Sequence, residues 1–215
     1  MSARTRIKIC GVSRPEDVAA AVDAGADAIG LVFHPGSPRY LTLPQAEALA
    51  QALPPYVTPV GLFVNAEPAT VAAAVAAIPA LVLQFHGDET PAQCAAARRP
   101  YLRAARMAPG FDLLDFARRF DEAQGLLLDA HVEAFGGSGK VFDWSLVPRG
   151  VPHRLVLSGG LHAGNVGSGI RELRPWAVDV SSGVESARGV KDAAAIHAFC
   201  DAVREADLRI EASVS

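Results

Sequence analysis

In Arg154-Leu-Val-Leu-Ser-Gly-Gly160 and Ala177-Val-Asp-Val-Ser-Ser-Gly183 two short apolar runs, Arg154–Ser158 and Ala177–Ser181, lead into small residues, and the helically spaced stretch Asn165–Leu173 lies between them. Neither run alternates apolar with polar. Both are nearly continuous in apolar residues, which is how strands covered on both faces of a parallel sheet read. The unit is strand, glycine-rich turn, helix, strand, and it belongs to a series. Comparable apolar runs occupy Arg6–Cys10, Ala28–Phe33, Thr58–Val64, Leu81–His86, Tyr101–Met107 and Gly125–Asp129.

Ala-rich segments with helical spacing follow most of these runs: Pro15–Ala24, Pro44–Leu53, Pro68–Ala77, Pro91–Arg98, Phe111–Phe120 and, after the last run, Asp192–Glu205. Several open with proline, which suits a first helical turn. The region Asp129–Arg154 departs from the pattern. It carries Gly136-Gly-Ser-Gly139 and has room only for a short helix around Asp143–Val147. It reads as a long functional loop followed by a degenerate sixth helix. Eight strand–helix units, spaced by roughly 20–30 residues, predict an α/β fold closed as a single-domain (β/α)8 TIM barrel. An open doubly wound sheet is the alternative. No linker interrupts the chain. The barrel is expected over residues 1–207, with residues 208–215 as a loose C-terminal tail.

Composition narrows the function. Half of the 215 residues are apolar and a fifth are charged, enough for a sizeable core and too little charge for a disordered chain. Twenty basic against 23 acidic residues leave a net charge of −3. That balance implies no basic face for nucleic acid. Cys10, Cys94 and Cys200 lie far apart, so neither a disulfide framework nor a structural zinc site is expected. The N-terminus lacks the apolar core of a signal peptide, and no stretch approaches the roughly 20 apolar residues of a membrane span. A cytoplasmic protein with no membrane partner is expected. The six histidines form no metal-type cluster, and neither a Walker loop nor Gly-x-Gly-x-x-Gly opens a helix. No metal and no cofactor are predicted.

In a barrel, reactive groups stand at the C-terminal ends of strands. Two such ends are Ser158-Gly159-Gly160 and Ser181-Ser182-Gly183. Consecutive Gly and Ser expose backbone N–H groups and leave room for a ligand. Loops after strands seven and eight commonly hold phosphate. Gly159, Gly160, Ser182 and Gly183 are therefore the candidate phosphate site, assisted by a short helix N-terminus after strand eight. The partner expected is a phosphorylated small molecule.

Cys10 closes the first strand. A buried cysteine usually serves as a small hydrophobe, but one at a barrel rim is also a credible base, because a free thiol has a pKa near 8.5. Cys94 and Cys200 fall inside helical patterns and read as core. Asp129 ends a run of three leucines. A carboxylate there is costly to bury without a purpose, and burial would raise its pKa toward that of a general acid. An N-cap or a structural acceptor is the other reading. Asp179 holds the matching position on strand eight and could orient a substrate hydroxyl or the reacting groups. Arg39, in a Ser-Pro-Arg turn, is either a solvated cation or a two-pronged clamp for a carboxylate. Gln84 and His86 could contact substrate or brace the strand ends.

Taken together, these segments resemble the phosphoribosylanthranilate isomerase family, barrel enzymes of tryptophan biosynthesis. The likeness runs through Lys8-Ile-Cys-Gly11, Gly30-Leu-Val-Phe33, Ser37-Pro-Arg39, Val60-Gly-Leu-Phe-Val-Asn65 and Gln84-Phe-His-Gly87. It continues through Leu127-Leu-Asp129, Gly136-Gly-Ser-Gly139, Phe142-Asp-Trp144, Ser158-Gly-Gly-Leu161, Asn165-Val166, Asp179-Val-Ser-Ser-Gly-Val-Glu185 and Lys191-Asp192. Phe85 stands where the family often has leucine, and Arg103 where strand five often has lysine.

The resemblance implies a cofactor-free Amadori rearrangement of N-(5′-phosphoribosyl)anthranilate. It implies Cys10 as general base, Asp129 as general acid, Arg39 on the anthranilate carboxylate, and backbone at Gly160, Ser182 and Gly183 on the phosphate. Gln84, His86 and Asp179 would complete the substrate site. Such enzymes are monomers or homodimers. The segment Gly136–Lys140 is expected to be mobile, while the sequence does not assign the loop that closes over the substrate. Two other readings stay open. One is the related histidine-pathway isomerase, whose family has an aspartate where this chain has Cys10. The other is a catalytically silent barrel that binds a phosphosugar. A ribulose-phosphate 3-epimerase would need His and Asp metal ligands that are missing.

Overall fold

The computed structural model describes residues 4–130 and 141–213. Eight parallel strands form a closed barrel in chain order. They are β1 (Arg6–Cys10), β2 (Ala28–Val32), β3 (Thr58–Phe63), β4 (Val82–Phe85), β5 (Tyr101–Met107), β6 (Gly125–Ala130), β7 (Arg154–Leu157) and β8 (Ala177–Val180). Closure is made by β1 against β8, with Lys8 opposite Asp179 and Ile9 opposite Val180. That pairing rules out the open doubly wound sheet.

Helices α1 (Pro15–Asp23), α2 (Leu43–Gln51), α3 (Pro68–Ala77), α4 (Pro91–Ala96), α5 (Leu113–Arg119), α6 (Val166–Leu173) and α7 (Ala193–Ala212) cover the outside. Local signals set their starts. Thr90 accepts from the Gln93 amide at 3.3 Å, and Gln93 accepts from the Thr90 amide at 2.8 Å, a reciprocal capping box ahead of Pro91. Asp192 accepts from the Ala195 amide at 2.8 Å and starts α7. The degenerate sixth helix is a single 3-10 turn at Trp144–Leu146. The Gly136–Lys140 segment lies outside the described residues.

Two features differ from the sequence reading. The tail expected from residue 208 is helical through Ala212, because the apolar stripe of α7 continues through Val203, Ala206 and Ile210, all buried. Asp207 itself takes hydrogen bonds from the Thr5 amide and hydroxyl, each at 2.7 Å, so this helix is fastened to the chain leading into β1. Second, the loop after β8 holds a 3-10 turn, Ser182–Val184, and then an antiparallel pair, β9 (Glu185–Ala187) with β10 (Val190–Lys191). A single 3-10 turn offers N–H groups but only a fraction of a helix dipole.

The apolar strand side chains fall into two buried clusters. Ile7, Ile9, Ile29, Leu31, Leu126, Leu128, Leu157 and Val178 join the large core shared with the helices. Ala104, Leu127, Val156 and Ala177 form a smaller cluster. Above it the interior turns polar, with Lys8, Gln84, Ser158 and Asp179 all buried. No described helix is long and apolar enough to cross a membrane.

Candidate active site

Nine of the ten residues singled out by sequence line one cleft: Cys10, Arg39, Gln84, His86, Asp129, Gly159, Gly160, Asp179 and Ser182. The cleft lies at the C-terminal ends of the strands and encloses about 750 Å³, including its open mouth. That is room for a ligand of sugar-phosphate size. Gly183 is the exception. A Cβ there would collide with the Leu161 carbonyl oxygen, so its absence lets the loops after β7 and β8 meet. The cleft also takes in His34, Ser158, Leu161 and Ser181.

Cys10 and Asp129 come from β1 and β6, three strand steps apart around the eight-stranded ring by way of β8 and β7, and so face each other across the mouth. Cys10 is 4% exposed. Burial raises its thiol above the ordinary value; Lys8 works the other way and Asp179 adds to the rise. Its thiolate fraction at neutral pH is therefore smaller than that of a free cysteine. Lys8 donates to Asp179 at 2.8 Å, with both side chains 5% exposed. Burial is the largest single influence and opposes the Lys8 charge, but Asp179 and Cys10 together outweigh it and hold the amine above its usual range. The Ser158 hydroxyl also donates to Asp179, at 3.4 Å.

Asp129 is not the fully buried carboxylate its setting in the sequence suggests: a quarter of its side chain is exposed. Its Oδ1 takes the Ala130 amide at 3.0 Å, and its Oδ2 meets His86 Nε2 at 3.0 Å. His86 Nδ1 in turn faces Gln84 Nε2 at 3.0 Å. So Gln84 and His86 brace Asp129 as well as lining the cleft. Arg103, on β5, donates to the carbonyls of Phe85 at 2.8 Å and Gly87 at 3.0 Å, the residues on either side of His86. Its carboxylate neighbour is Glu89 at 3.5 Å, which accepts from the amides of Gly87 and Asn65. The arginine at this position thus fixes the backbone that presents His86.

Arg39 is 7% exposed, so the solvated reading falls away. Its stem crosses Gly11, where φ is +72° and a Cβ would strike the arginine side chain. Only glycine fits there. The guanidinium clamps Glu185, Nε to Oε1 at 2.6 Å and Nη2 to Oε2 at 2.8 Å. Burial opposes the Arg39 charge, and the hydrogen bonds and charge of Glu185 together with Cys10 more than offset it. Lys191 donates to Glu185 at 2.8 Å and to the Ser181 carbonyl at 2.9 Å. Sequence reasoning assigned no role to Lys8, Glu185 or Lys191. A signal was present: Lys8 and Asp179 are opposite charges inside apolar strands, and such charges need partners. No comparable signal pointed from Glu185 to Arg39.

Comparison with known proteins points to a single family. The family model described as N-(5′-phosphoribosyl)anthranilate isomerase matches residues 7–202. The N-(5′-phosphoribosyl)anthranilate isomerase of Methylibium petroleiphilum is 69% identical over 210 residues, covering 98% of this chain and 99% of its own. Among solved structures, phosphoribosyl anthranilate isomerase from Thermus thermophilus superposes with a TM-score of 0.85 at 34% identity, covering 94% of this chain and 99% of its own. Another isomerase structure holds reduced 1-(o-carboxyphenylamino)-1-deoxyribulose 5-phosphate; it has a TM-score of 0.79 at 38% identity, with 94% and 99% covered. The barrel, its cleft and a match spanning nearly every strand lead to one assignment: the chain belongs to the N-(5′-phosphoribosyl)anthranilate isomerase family.

Proposed function

We infer that this chain isomerises N-(5′-phosphoribosyl)anthranilate to 1-(2-carboxyphenylamino)-1-deoxyribulose 5-phosphate, an intramolecular aldose–ketose step of tryptophan biosynthesis. The observation that carries the reading is Cys10 and Asp129 facing one cleft from opposed strands, between glycine-rich loops and a buried arginine.

Asp129 is the general acid. It protonates the ribose ring oxygen as the C1′–O bond breaks, and the anilino nitrogen lone pair forms the C1′ iminium. Cys10 is the general base. Its thiolate takes the C2′ proton, and the C2′–H pair becomes the C1′–C2′ double bond while the iminium nitrogen regains its lone pair. The enolamine moves its hydroxyl proton to C1′ and becomes the C2′ ketone. Substrate and product are isomers, so no external oxidant or reductant enters the balance, and Cys10 gives its proton to water while Asp129 takes one back, which restores both groups for the next turnover. The cationic iminium makes the C2′ proton acidic enough for a thiolate.

Arg39 holds the anthranilate carboxylate. Backbone at Gly159, Gly160, Ser182 and Gly183 holds the phosphate. Gln84, His86 and Asp179 complete the contacts to substrate. Two anionic anchors at opposite ends keep C1′ and C2′ between acid and base. The enzyme works in the cytoplasm, as a monomer or homodimer.

The test is the decay of anthranilate fluorescence with freshly prepared substrate in the presence of EDTA. Wild type is expected to consume the substrate. Cys10→Ala is expected to be inactive, and Asp129→Asn to lose on the order of 10²–10⁴ in rate. Near-wild-type turnover in either variant removes that residue's role. An inert wild type that still binds the phosphorylated product analogue indicates a silent phosphosugar-binding barrel instead.

A further inference from the structure

We propose that Glu185 is the positioning residue that aims Arg39 at the substrate carboxylate. The inference rests on the reading of Arg39 as the carboxylate anchor. A guanidinium has two edges able to make paired hydrogen bonds, one through Nε and Nη2 and the other through Nη1 and Nη2. Glu185 occupies the first, at 2.6 and 2.8 Å. The second is then the edge that Arg39 turns to the cleft it lines. A free arginine on a loop samples many rotamers, and its ordering weakens each bond it makes. Here the rotamer is set beforehand, with the side chains of Arg39 and Glu185 only 8% and 5% exposed.

The support for Glu185 is itself fixed. Its Oε1 also accepts from Lys191, whose side chain is fully buried, and its Oε2 accepts from the Gly189 amide at 3.1 Å. Gly189 turns the hairpin between β9 and β10 against the Pro38 carbonyl, next to Arg39 in the chain. Arg39 and Lys191 lower the Glu185 carboxyl below its ordinary value against the effect of burial. The three side chains therefore sum to one surplus positive charge, 2 − 1 = +1, at the end of the cleft assigned to a carboxylate. Without Glu185, two neighbouring cations would repel and Arg39 would lose its fixed edge. Glu185 needs no contact with substrate for this role.

The experiment compares two inhibitors on the intact enzyme: reduced 1-(o-carboxyphenylamino)-1-deoxyribulose 5-phosphate and its counterpart without the carboxylate. Wild type should prefer the carboxylated compound. Glu185→Gln is expected to shrink that preference by roughly 10- to 100-fold, through weaker binding of the carboxylated compound alone. Glu185→Asp should recover part of it. A general disturbance of the fold would weaken both inhibitors equally, which overturns the proposal. Arg39→Met separates the two layers. If Arg39→Met abolishes the preference while Glu185→Gln leaves it intact, Arg39 is the anchor and Glu185 does not aim it. If Arg39→Met leaves the preference unchanged, the carboxylate is held elsewhere and the underlying reading fails.

Discussion

His86 Nε2 stands 3.0 Å from Asp129 Oδ2, while its other ring nitrogen stands 3.0 Å from the Gln84 amide nitrogen. The Gln84 amide donates to Nδ1, so the ring proton sits on Nε2 and is donated to the carboxylate of Asp129. Gln84 Oε1 is buried and has no partner among the described residues. An amide turned end for end would use it to accept from Nδ1–H, and Nε2 would then accept from a protonated Asp129. The same three side chains can thus serve both states of a general acid.

His86→Leu removes that support without touching the carboxylate. It should lower kcat by about 10-fold or more, the worth of a hydrogen bond to a charged group, with a smaller change in KM. Steady-state kinetics by fluorescence checks this. An unchanged kcat would mean that Asp129 keeps its geometry unaided.

Cys10 should impose an ascending, acid-side limb on kcat/KM, because only its thiolate can take a proton. Burial and Asp179 raise the thiol, so activity should climb with pH through a midpoint above that of a free cysteine. Asp179→Asn removes a charge that opposes the thiolate and should move the midpoint to lower pH. Lys8→Met removes a charge that favours it and should move the midpoint to higher pH. A midpoint does not depend on how much of the enzyme is folded. Rates of iodoacetamide alkylation against pH give a second reading, and shifts of the same sign in both variants would contradict the assignment.

Lys8 and Asp179 form a pair that neither charge can leave safely. Lys8→Met leaves a carboxylate unpaired inside the barrel and should cost about 3–5 kcal/mol. The double variant Lys8→Met with Asp179→Leu should regain most of that stability, because a well-packed apolar pair often replaces a buried ion pair without loss. Urea unfolding of the single and double variants measures both. Additive losses would show that the two residues are not coupled.

Ile210 lies in the last turns of α7 and is 6% exposed. Ile210→Ala should destabilise by about 2 kcal/mol or more, as a buried aliphatic truncation does. Leu208→Ala, at a residue 66% exposed, should be nearly silent. Equal and small effects in urea unfolding would return residues 208–212 to the status of a dispensable tail.

Most of the architecture was legible in the chain. Each strand run in the sequence lies within one or two residues of an observed strand, and β1 (Arg6–Cys10) and β5 (Tyr101–Met107) agree at both ends. The reason is local. A strand covered on both faces must be apolar almost throughout, and the prolines and Thr/Asp caps that start helices act over three or four residues. Cys10 and Asp129 were legible for a related reason: a reactive group at the end of an apolar strand can only stand at the barrel mouth. The end of α7 was missed because its stripe thins to Ala206 and Ile210, too sparse to separate from a tail.

Eight strand–helix units, their order, the closed barrel they imply and the loops that carry polar groups are all written in the local pattern of the chain. The partners of the buried charges came from the tertiary fold: Lys8 meets Asp179 across 171 positions, and Arg39 meets Glu185 across 146. Propensity and periodicity act between neighbours in the chain. A buried charge has no favourable local state, and only the folded barrel supplies the partner that offsets its desolvation.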